Sequence, residues 1–437
     1  MKSAASTIQI DVDSLRVGMF IHLDVGWMSH PFPLSSFRLS SAEQIGIIRS
    51  LGIKQLRWSP EQSALMEAQD EAARAIEAAA QSSGAAAGAA RGDAAANAEE
   101  PPELAARRQR RAAVAAQRSA LALCERQFAE ATRECKVLTD QAVAEPHAAR
   151  DKAQALTQAF VDKMLGAHDV CIRLLTEAAG DRASSHAVNV TLISLLMGRC
   201  FGLAQPEMLD LGVGALLHDI GKADLPPRVR HREEHFTASE AKFYEEHVGH
   251  GVAHALKMGL SPGATMVIAQ HHEHADGSGF PLKLGTERMS PMSRIVALVN
   301  RYDNLCNPHL PARALTPHES LSLLFAQGKT KYDTAILGAF IKMMGVYPLG
   351  SVVQLTDDRF AIVVGVNSSR PLKPRVVVHD PKVPPDEAAI LDLETTPNLG
   401  IRRSVRPQTL PADALAALAP RPRIAYFFEP ASQEPEG

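Results

Sequence analysis

The chain carries two stretches that determine its fold and its chemistry: His218-Asp219-Ile220-Gly221-Lys222 and, downstream, His271-His272-Glu273-His274-Ala275-Asp276-Gly277-Ser278-Gly279-Phe280-Pro281. The first stretch places a histidine directly beside an aspartate. The second places two adjacent histidines before a glycine-rich loop. Imidazole nitrogens and carboxylate oxygens are ligands for divalent transition metals. Together with a nearby lysine for an anionic substrate, they predict metal-assisted hydrolysis of a phosphate ester.

Further histidines are separated from these stretches, along the sequence, by about the length of one helix and one turn. Apolar residues recur at helical spacing from residue 156 to residue 346, which predicts an all-helical bundle there. Ligands on different helices can converge in the core of such a bundle, and a carboxylate can bridge two metals. Each histidine alone could equally line a helix or lie on a solvated face. The prediction therefore depends on all of these histidines and Asp219 occurring together in this order. The predicted metal ligands are His186, His218, Asp219, His247, His271 and His272.

Four other residues are candidates for the reaction itself. Lys222 follows His218-Asp219 by one helical turn and could hold a phosphate, although it could also be an ordinary exposed lysine. Gly277 and Gly279 permit positive φ or close backbone approach. Phe280 could stack on a base or anchor its loop in the core.

The composition limits the function classes. With 437 residues and a formal net charge of −3, the chain has no global basic footprint, so we expect no nucleic-acid partner. It has no apolar stretch long enough to span a bilayer and no secretory h-region near Met1. Its five cysteines form no CxxC pair. Reduced thiols and a cytoplasmic location are therefore expected.

The pattern along the chain predicts a mainly α protein with five segments. Residues 1–60 read as a small β-rich module, with a helix capped by Ser40 and a strand from Ile53 to Trp58. Residues 61–155 are an Ala-rich helical and low-complexity linker, and 156–346 form the helical bundle. Residues 347–400 form a short β appendage, and 401–437 form a loosely packed Pro- and Ala-rich tail.

The motifs resemble those of the HD-GYP domain, a bacterial branch of the HD metal-dependent phosphohydrolases. The resemblance covers about residues 160 to 345 and includes the two stretches quoted above, with His247 between them. Residues 7–60, notably Leu15-Arg16-Val17-Gly18-Met19-Phe20-Ile21 and Trp27 with Pro31-Phe32, resemble the small N-terminal domain of unknown function often found before HD-GYP domains.

The resemblance implies an HD-type bundle of five or more helices with a bi- or trinuclear iron or manganese site. It implies hydrolysis of the second messenger cyclic di-GMP to pGpG or GMP, with Asp219 bridging the metals and Lys222 stabilising phosphoryl charge. It is also compatible with a homodimer and with signalling-protein partners.

The chain departs from the family pattern in ways that bear on activity. Phe280 replaces the tyrosine of Gly-Tyr-Pro, and Arg182 replaces a glutamate of trinuclear members, which favours two metals. Asn300 aligns with the last metal-binding aspartate and would be a weaker, neutral ligand. Asn307-Pro308-His309 replace basic residues that grip phosphates, with Arg313 as an unaligned substitute. Two hypotheses compete with the active cyclic di-GMP phosphodiesterase: a degenerate HD-GYP protein that binds metal or nucleotide with little turnover, and an HD hydrolase for another nucleotide.

Overall fold

The computed structural model describes part of the chain and divides it into two compact units, Met1–Ala106 and Arg107–Gly437. The described residues are 7–23, 36–39, 42–50, 52–63, 102–165, 170–176, 179–231, 236–366, 372–383, 388 and 390–430. Ser40, Trp27 with Pro31-Phe32, and the low-complexity segment lie outside the described residues. No helix within the described ranges is long and apolar enough to cross a membrane.

The first unit contains a four-stranded antiparallel sheet, as expected for a β-rich module, with the strands in the order Ile8–Asp11, Gln55–Trp58, Phe20–His22 and Ser36–Arg38. Alternation places one face of each strand inward, and Ile21 and Leu56 are buried against Ile48 of the helix. Its elements are β1 Ile8–Asp11, β2 Phe20–His22, β3 Ser36–Arg38, α1 Ala42–Ser50, β4 Gln55–Trp58 and α2 Pro60–Ser63.

Helices dominate the second unit and confirm the predicted bundle. Most begin at side chains that accept a backbone N–H, such as Asp181, Thr237 and Ser290, and the helix that begins at Ala238 ends at Gly259 in the left-handed conformation. The helices are α3 Pro102–Gln141, α4 Pro146–Leu165, α5 Arg182–Cys200, α6 Gln205–Leu217, α7 Ala238–Met258, α8 Pro262–Gln270, α9 Pro291–Cys306, α10 Pro317–Lys331, α11 Thr334–Met344 and α12 Ala412–Leu418.

Helix α6 lies at the centre of this bundle. It packs against α4, α5 and α8, while α5 also contacts α9 and α8 also contacts α7. Its residues are apolar on nearly every side, as expected for a helix surrounded by others. The predicted domain boundary at residue 155 falls inside helix α4, whose Phe160 is fully buried.

A seven-stranded sheet completes the second unit. The strands are β5 Val170–Leu174, β6 Val352–Leu355, β7 Phe360–Gly365, β8 Arg375–Val378, β9 Ile390–Asp392, β10 Ile401–Val405 and β11 Tyr426–Pro430. They are neighbours in the order β10-β6-β7-β5-β11, and β8 pairs with both β7 and β9.

Two expectations are corrected by this sheet. Residues 156–346 are not helical throughout, because β5 lies within them and pairs with β11. The described part of the tail, residues 401–430, is not loosely packed throughout, because Tyr426, Phe427 and Phe428 are each at most 1% exposed. Residues 426–428 form a short apolar run within Pro- and Ala-rich sequence, and the composition of the surrounding sequence led to the prediction of loose packing. Strand partners some 250 residues apart also produce no local periodicity that would reveal them.

Candidate metal centre

Asp219 lies at the centre of two groups of potential metal ligands. One group joins Asp219 to His186 and His218, and the other joins it to His247, His271 and His272, with the ligand atoms of each group within 4.8 Å of one another. Its Oδ2 lies 3.4 Å from Nε2 of His218 and 3.9 Å from Nε2 of His186. Its Oδ1 lies 3.6 Å from Nε2 of both His247 and His271. Each carboxylate oxygen therefore faces its own set of imidazoles.

Three of these imidazoles are oriented by their own helices. Nδ1 of His218 donates to the carbonyl of Ala215 at 2.7 Å, and Nδ1 of His271 donates to that of Ile268 at 2.8 Å. Both histidines follow the last residue of a helix, where carbonyls lack intrahelical partners. Nδ1 of His247 makes the equivalent bond three residues back, at 2.5 Å. With Nδ1 protonated, each Nε2 directs a lone pair towards Asp219.

Burial favours the neutral form of three of these imidazoles. It lowers the pKa of His218, lowers the pKa of His247 to about 3, and lowers the pKa of His272 well below its usual value. Burial also opposes ionisation of Asp219, but the charge of Lys222 outweighs it and holds the pKa of Asp219 well below its usual value. An ionised carboxylate among neutral imidazoles is the protonation state that metal binding requires.

Two buried polar atoms test whether the site fits a cation. Within the described part of the chain, Oδ1 of Asp219 and Nε2 of His272 are inaccessible to solvent and have no hydrogen-bond partner. Nε2 of His247 lies 3.3 Å from Nε2 of His271, although both are oriented as acceptors. Buried acceptors that face one another without a donor are costly unless a cation lies between them. The donor set therefore fits divalent metal.

Comparison with known families agrees with this geometry. Residues 169–336 match the HD domain family. These residues form an HD domain. Residues 7–153 match DUF3391, a domain of unknown function, and this match extends past the predicted module at residues 1–60. The expected pairing of an HD-type domain with a small N-terminal domain is confirmed, and divalent metal binding follows from the HD domain.

Individual proteins resemble this chain over different lengths. A cyclic di-GMP phosphodiesterase of Pseudomonas aeruginosa is 26% identical over 378 residues, which cover 85% of this chain and 84% of the relative. Cyclic di-GMP phosphodiesterase PdeB of Borreliella burgdorferi is 24% identical over 222 residues, covering 50% and 58%. A solved structure of an HDG"Y"P protein from Bdellovibrio bacteriovorus matches with a TM-score of 0.43 at 14% identity, covering 77% and 98%.

The orientation of the His186 side chain is set by a residue on a different helix. Its Nδ1 lies 2.6 Å from Oδ2 of Asp303, which is fully buried on α9. Oδ1 of Asp303 accepts from Asn189 and Asn307, each at 2.9 Å. Both asparagines also donate to the carbonyl of Ile424, just before β11. The C-terminal strand thus supports the carboxylate that orients a metal ligand.

The Asp303→Asn variant should bind metal more weakly. The amide can satisfy Asn189 and Asn307 only by turning its NH₂ towards Nδ1 of His186. That contact would move the imidazole proton to Nε2 and remove its lone pair from the metal. Loss of such an orienting partner costs roughly 10–100-fold in metal affinity. Titration with Mn²⁺ measures the change.

A matched control is Asp333→Asn. Asp333 caps α11 and bonds Arg294, and lies outside both ligand groups. This substitution should lower the melting temperature without changing Mn²⁺ affinity. Unchanged Mn²⁺ affinity in Asp303→Asn would mean that His186 does not depend on Asp303 for its orientation.

The loop after His272 is held by Glu273, whose role the sequence reading missed. The Glu273 carboxylate is fully buried and accepts from the backbone of Leu282 at 2.7 Å and Leu284 at 2.8 Å. A Cβ on Gly279 would lie 2.5 Å or less from backbone atoms of residues 272–274. Gly277 has φ +74°, which favours glycine. Both glycines and Glu273 therefore fold this loop tightly behind the ligand pair.

Phe280 lies against the metal centre. Its ring stacks on His272 with centroids 4.5 Å apart, and it also approaches Tyr244 at 6.3 Å. Phe280 packs with the cluster of Leu225, Val229 and Tyr244. This packing agrees with the prediction that Phe280 anchors its loop in the core. Contact between Phe280 and a substrate stays a prediction.

Lys222 forms an ion pair with Asp219. Its Nζ lies 2.6 Å from Oδ2 of Asp219 and 5.4 Å from the centroid of the Tyr244 ring. Burial acts against the charge on Lys222, but Asp219 more than compensates and raises the lysine pKa. Lys222 is therefore not an ordinary exposed lysine: it stays cationic and neutralises the central carboxylate.

Two further predicted site residues are Asn300, on helix α9, and Arg313, in a short segment after that helix. Asn300 is buried on α9, and among the described contacts its Oδ1 accepts from Asn304 at 2.6 Å. Asp303, one turn later on the same helix, contacts His186 instead. Arg313 is exposed and ends a short 3₁₀ helix at Pro311–Arg313. Metal binding by Asn300 and substrate binding by Arg313 stay predictions.

A stacked histidine pair beside the cluster was also missed. The rings of His231 and His309 lie 4.0 Å apart and within 11° of parallel. Burial, followed by the charges of His309, Lys222 and Arg182, lowers the pKa of His231 to about 4. Arg182 itself donates to the carbonyls of Asn307 and His309. His309 follows the last turn of α9, but nothing in the sequence around His231 indicated the pairing.

Proposed function

We propose that this chain is a metal-dependent phosphodiesterase that hydrolyses cyclic di-GMP to pGpG or GMP. The observation that carries the proposal is Asp219, whose two oxygens each face a separate set of imidazoles. This arrangement suits two divalent cations bridged by one carboxylate. The names of the relatives from Pseudomonas and Borreliella point to the substrate.

The chain's own residues have distinct roles in this proposal. Cations at the site would supply Lewis-acid activation of water and of the phosphoryl oxygens. Iron or manganese is the proposed identity, because mixed nitrogen and oxygen ligands suit both. Lys222 holds Asp219 ionised and offers its remaining N–H donors to a phosphoryl oxygen. The face of Phe280 and the backbone at Gly277 and Gly279 would contact the substrate, with Arg313 as a further cation.

The wider setting is also part of the proposal. We place the enzyme in the cytoplasm, in bacterial second-messenger signalling, with a cyclic dinucleotide as its small-molecule partner and no polynucleotide partner. Homodimerisation and signalling-protein partners stay predictions. Size-exclusion chromatography with light scattering would measure the oligomeric state.

The test combines metal content with turnover. Anaerobically purified protein should contain two metals per chain and hydrolyse cyclic di-GMP with added Mn²⁺ or Fe²⁺. Turnover should be abolished in the double variant His218→Ala, Asp219→Ala. One metal or fewer per chain, with no turnover but retained nucleotide or protein binding, would instead support a degenerate regulatory module.

The Asn300→Asp variant separates the active enzyme from the degenerate module. A carboxylate adds charge to a ligand position that is now neutral, so metal affinity should rise roughly tenfold, about 1.4 kcal/mol. Turnover should rise with it. Metal analysis and a cyclic di-GMP assay at limiting Mn²⁺ measure both.

Asn300→Ala tests the same position in the opposite direction. If Asn300 contributes its side-chain oxygen, the alanine variant should bind less metal than the natural chain. If neither substitution changes metal content or turnover, Asn300 does not ligate metal.

A further inference from the structure

A second candidate ligand site lies between the start of helix α10 and the edge strand β10. It is a cavity of about 380 Å³, at the lower end of the range for small-molecule sites. Its walls include Arg402, Arg403, Arg406, His318, Tyr347 and Glu319. None of the HD-domain ligands lines it. The sequence reading assigned no function to this arginine-rich segment.

The cavity carries a surplus of positive charge. Arg402 contacts Asp358, and Nε of Arg406 donates to Glu319 at 2.6 Å. Nε of Arg403 donates to the neutral amide of Gln354 at 3.0 Å. Three guanidinium groups against two carboxylates leave one net positive charge.

The geometry of two of these arginines suits a phosphate. The described bonds of Arg403 and Arg406 use Nε, so their terminal nitrogens can face the cavity. A guanidinium fork matches the oxygens of a phosphate group and binds them in pairs. Both side chains belong to exposed residues, so a ligand can reach them.

An aromatic surface lies beside these charges. The rings of His318 and Tyr347 stack with centroids 5.3 Å apart and planes within 19°. Nδ1 of His318 is fixed by the carbonyl of Val346 at 2.9 Å. Both residues are half-buried, so the stacked rings form a fixed wall with an accessible face. Nucleobases stack on such faces with little sequence preference.

We propose that this cavity binds a nucleoside monophosphate, with the phosphate on Arg403 and Arg406 and the base against Tyr347. The volume favours one nucleotide over a dinucleotide. The proposal is independent of the activity of the HD domain. Arg402 and Arg403 lie on β10, one edge strand of the sheet. The other edge strand, β11, follows Ile424, whose carbonyl accepts from Asn307.

The probe is AMP, which is neither substrate nor product of the proposed reaction. Isothermal titration of the full-length, metal-loaded protein should detect AMP binding. The double variant Arg403→Gln, Arg406→Gln should weaken that binding at least tenfold while cyclic di-GMP turnover is retained. The control Arg375→Gln removes one charge from β8 of the same sheet, where Arg375 pairs with Asp392, and should leave AMP binding unchanged.

Two further probes identify the parts of the ligand that are recognised. Adenosine and inorganic phosphate should each bind more weakly than AMP. Adenosine that binds as tightly would overturn the phosphate contact, and phosphate that binds as tightly would overturn the base contact. Absence of binding at millimolar AMP, or equal binding by the double variant, overturns the site. The single variant Arg403→Lys, which keeps the charge but loses the fork, should show an intermediate loss if the double variant unfolds.

Discussion

Asp219→Asn should remove most of the metal and nearly all turnover. The amide keeps the shape of the side chain but withdraws the only carboxylate shared by the two described ligand groups. Its NH₂ would also direct hydrogens towards one set of imidazole lone pairs. Losing about 4 kcal/mol of Lewis-acid stabilisation corresponds to roughly a 1000-fold lower rate. Metal analysis and cyclic di-GMP turnover measure the two effects.

Asp224→Asn is the matched control for this change. Asp224 ends the same 3₁₀ segment, Ile220–Asp224, and bonds His254 at 2.8 Å. It lies outside both ligand groups, so its variant should keep metal and turnover. An Asp219→Asn protein with a full complement of metal would show that the bridging arrangement is wrong, even if turnover fell.

Local sequence predicted the ligand set because metal sites use few residue types and helices repeat them at regular spacing. His218-Asp219 and His271-His272 each lie at a helix end, where a helical pattern meets a glycine-containing turn. The described ligands then converge because α5 and α8 pack against α6, which ends just before His218, while α7 packs against α8 and against the segment that follows Asp219. The functional hypothesis came from the same residues and their resemblance to a family.

The supporting contacts could not be predicted in the same way. Asp303 and His186 are 117 residues apart, and Tyr426 meets Asn189 across 237 residues. Such pairs depend on how helices and strands pack, which periodicity does not encode. The role of Glu273 could not be predicted for another reason. Its two backbone partners, Leu282 and Leu284, lie across a loop whose path depends on Gly279.

Gly221→Ala should disrupt the metal centre through packing alone. A Cβ at this position would lie 2.0 Å from the carbonyl oxygen of His247 and 2.3 Å from the amide nitrogen of Gly251. Both are backbone atoms of α7, so no side-chain rotation relieves the clash. The segment that carries Asp219 must therefore move away from the helix that carries His247, which separates the Asp219 carboxylate from one of the imidazoles that face it.

The expected cost is about 1–3 kcal/mol of stability, the usual range for overpacked cores, together with loss of bound metal. Thermal unfolding and metal analysis measure these two effects. Gly249→Ala is the control: it lies on the same helix, its Cβ would meet nothing within 4 Å, and it should raise stability by up to about 1 kcal/mol. A Gly221→Ala protein with unchanged melting temperature and metal content would contradict the close contact between the Asp219 segment and α7. The expected result would show that metal binding in this chain depends on a glycine that donates no ligand, because Gly221 sets the distance between two elements that do.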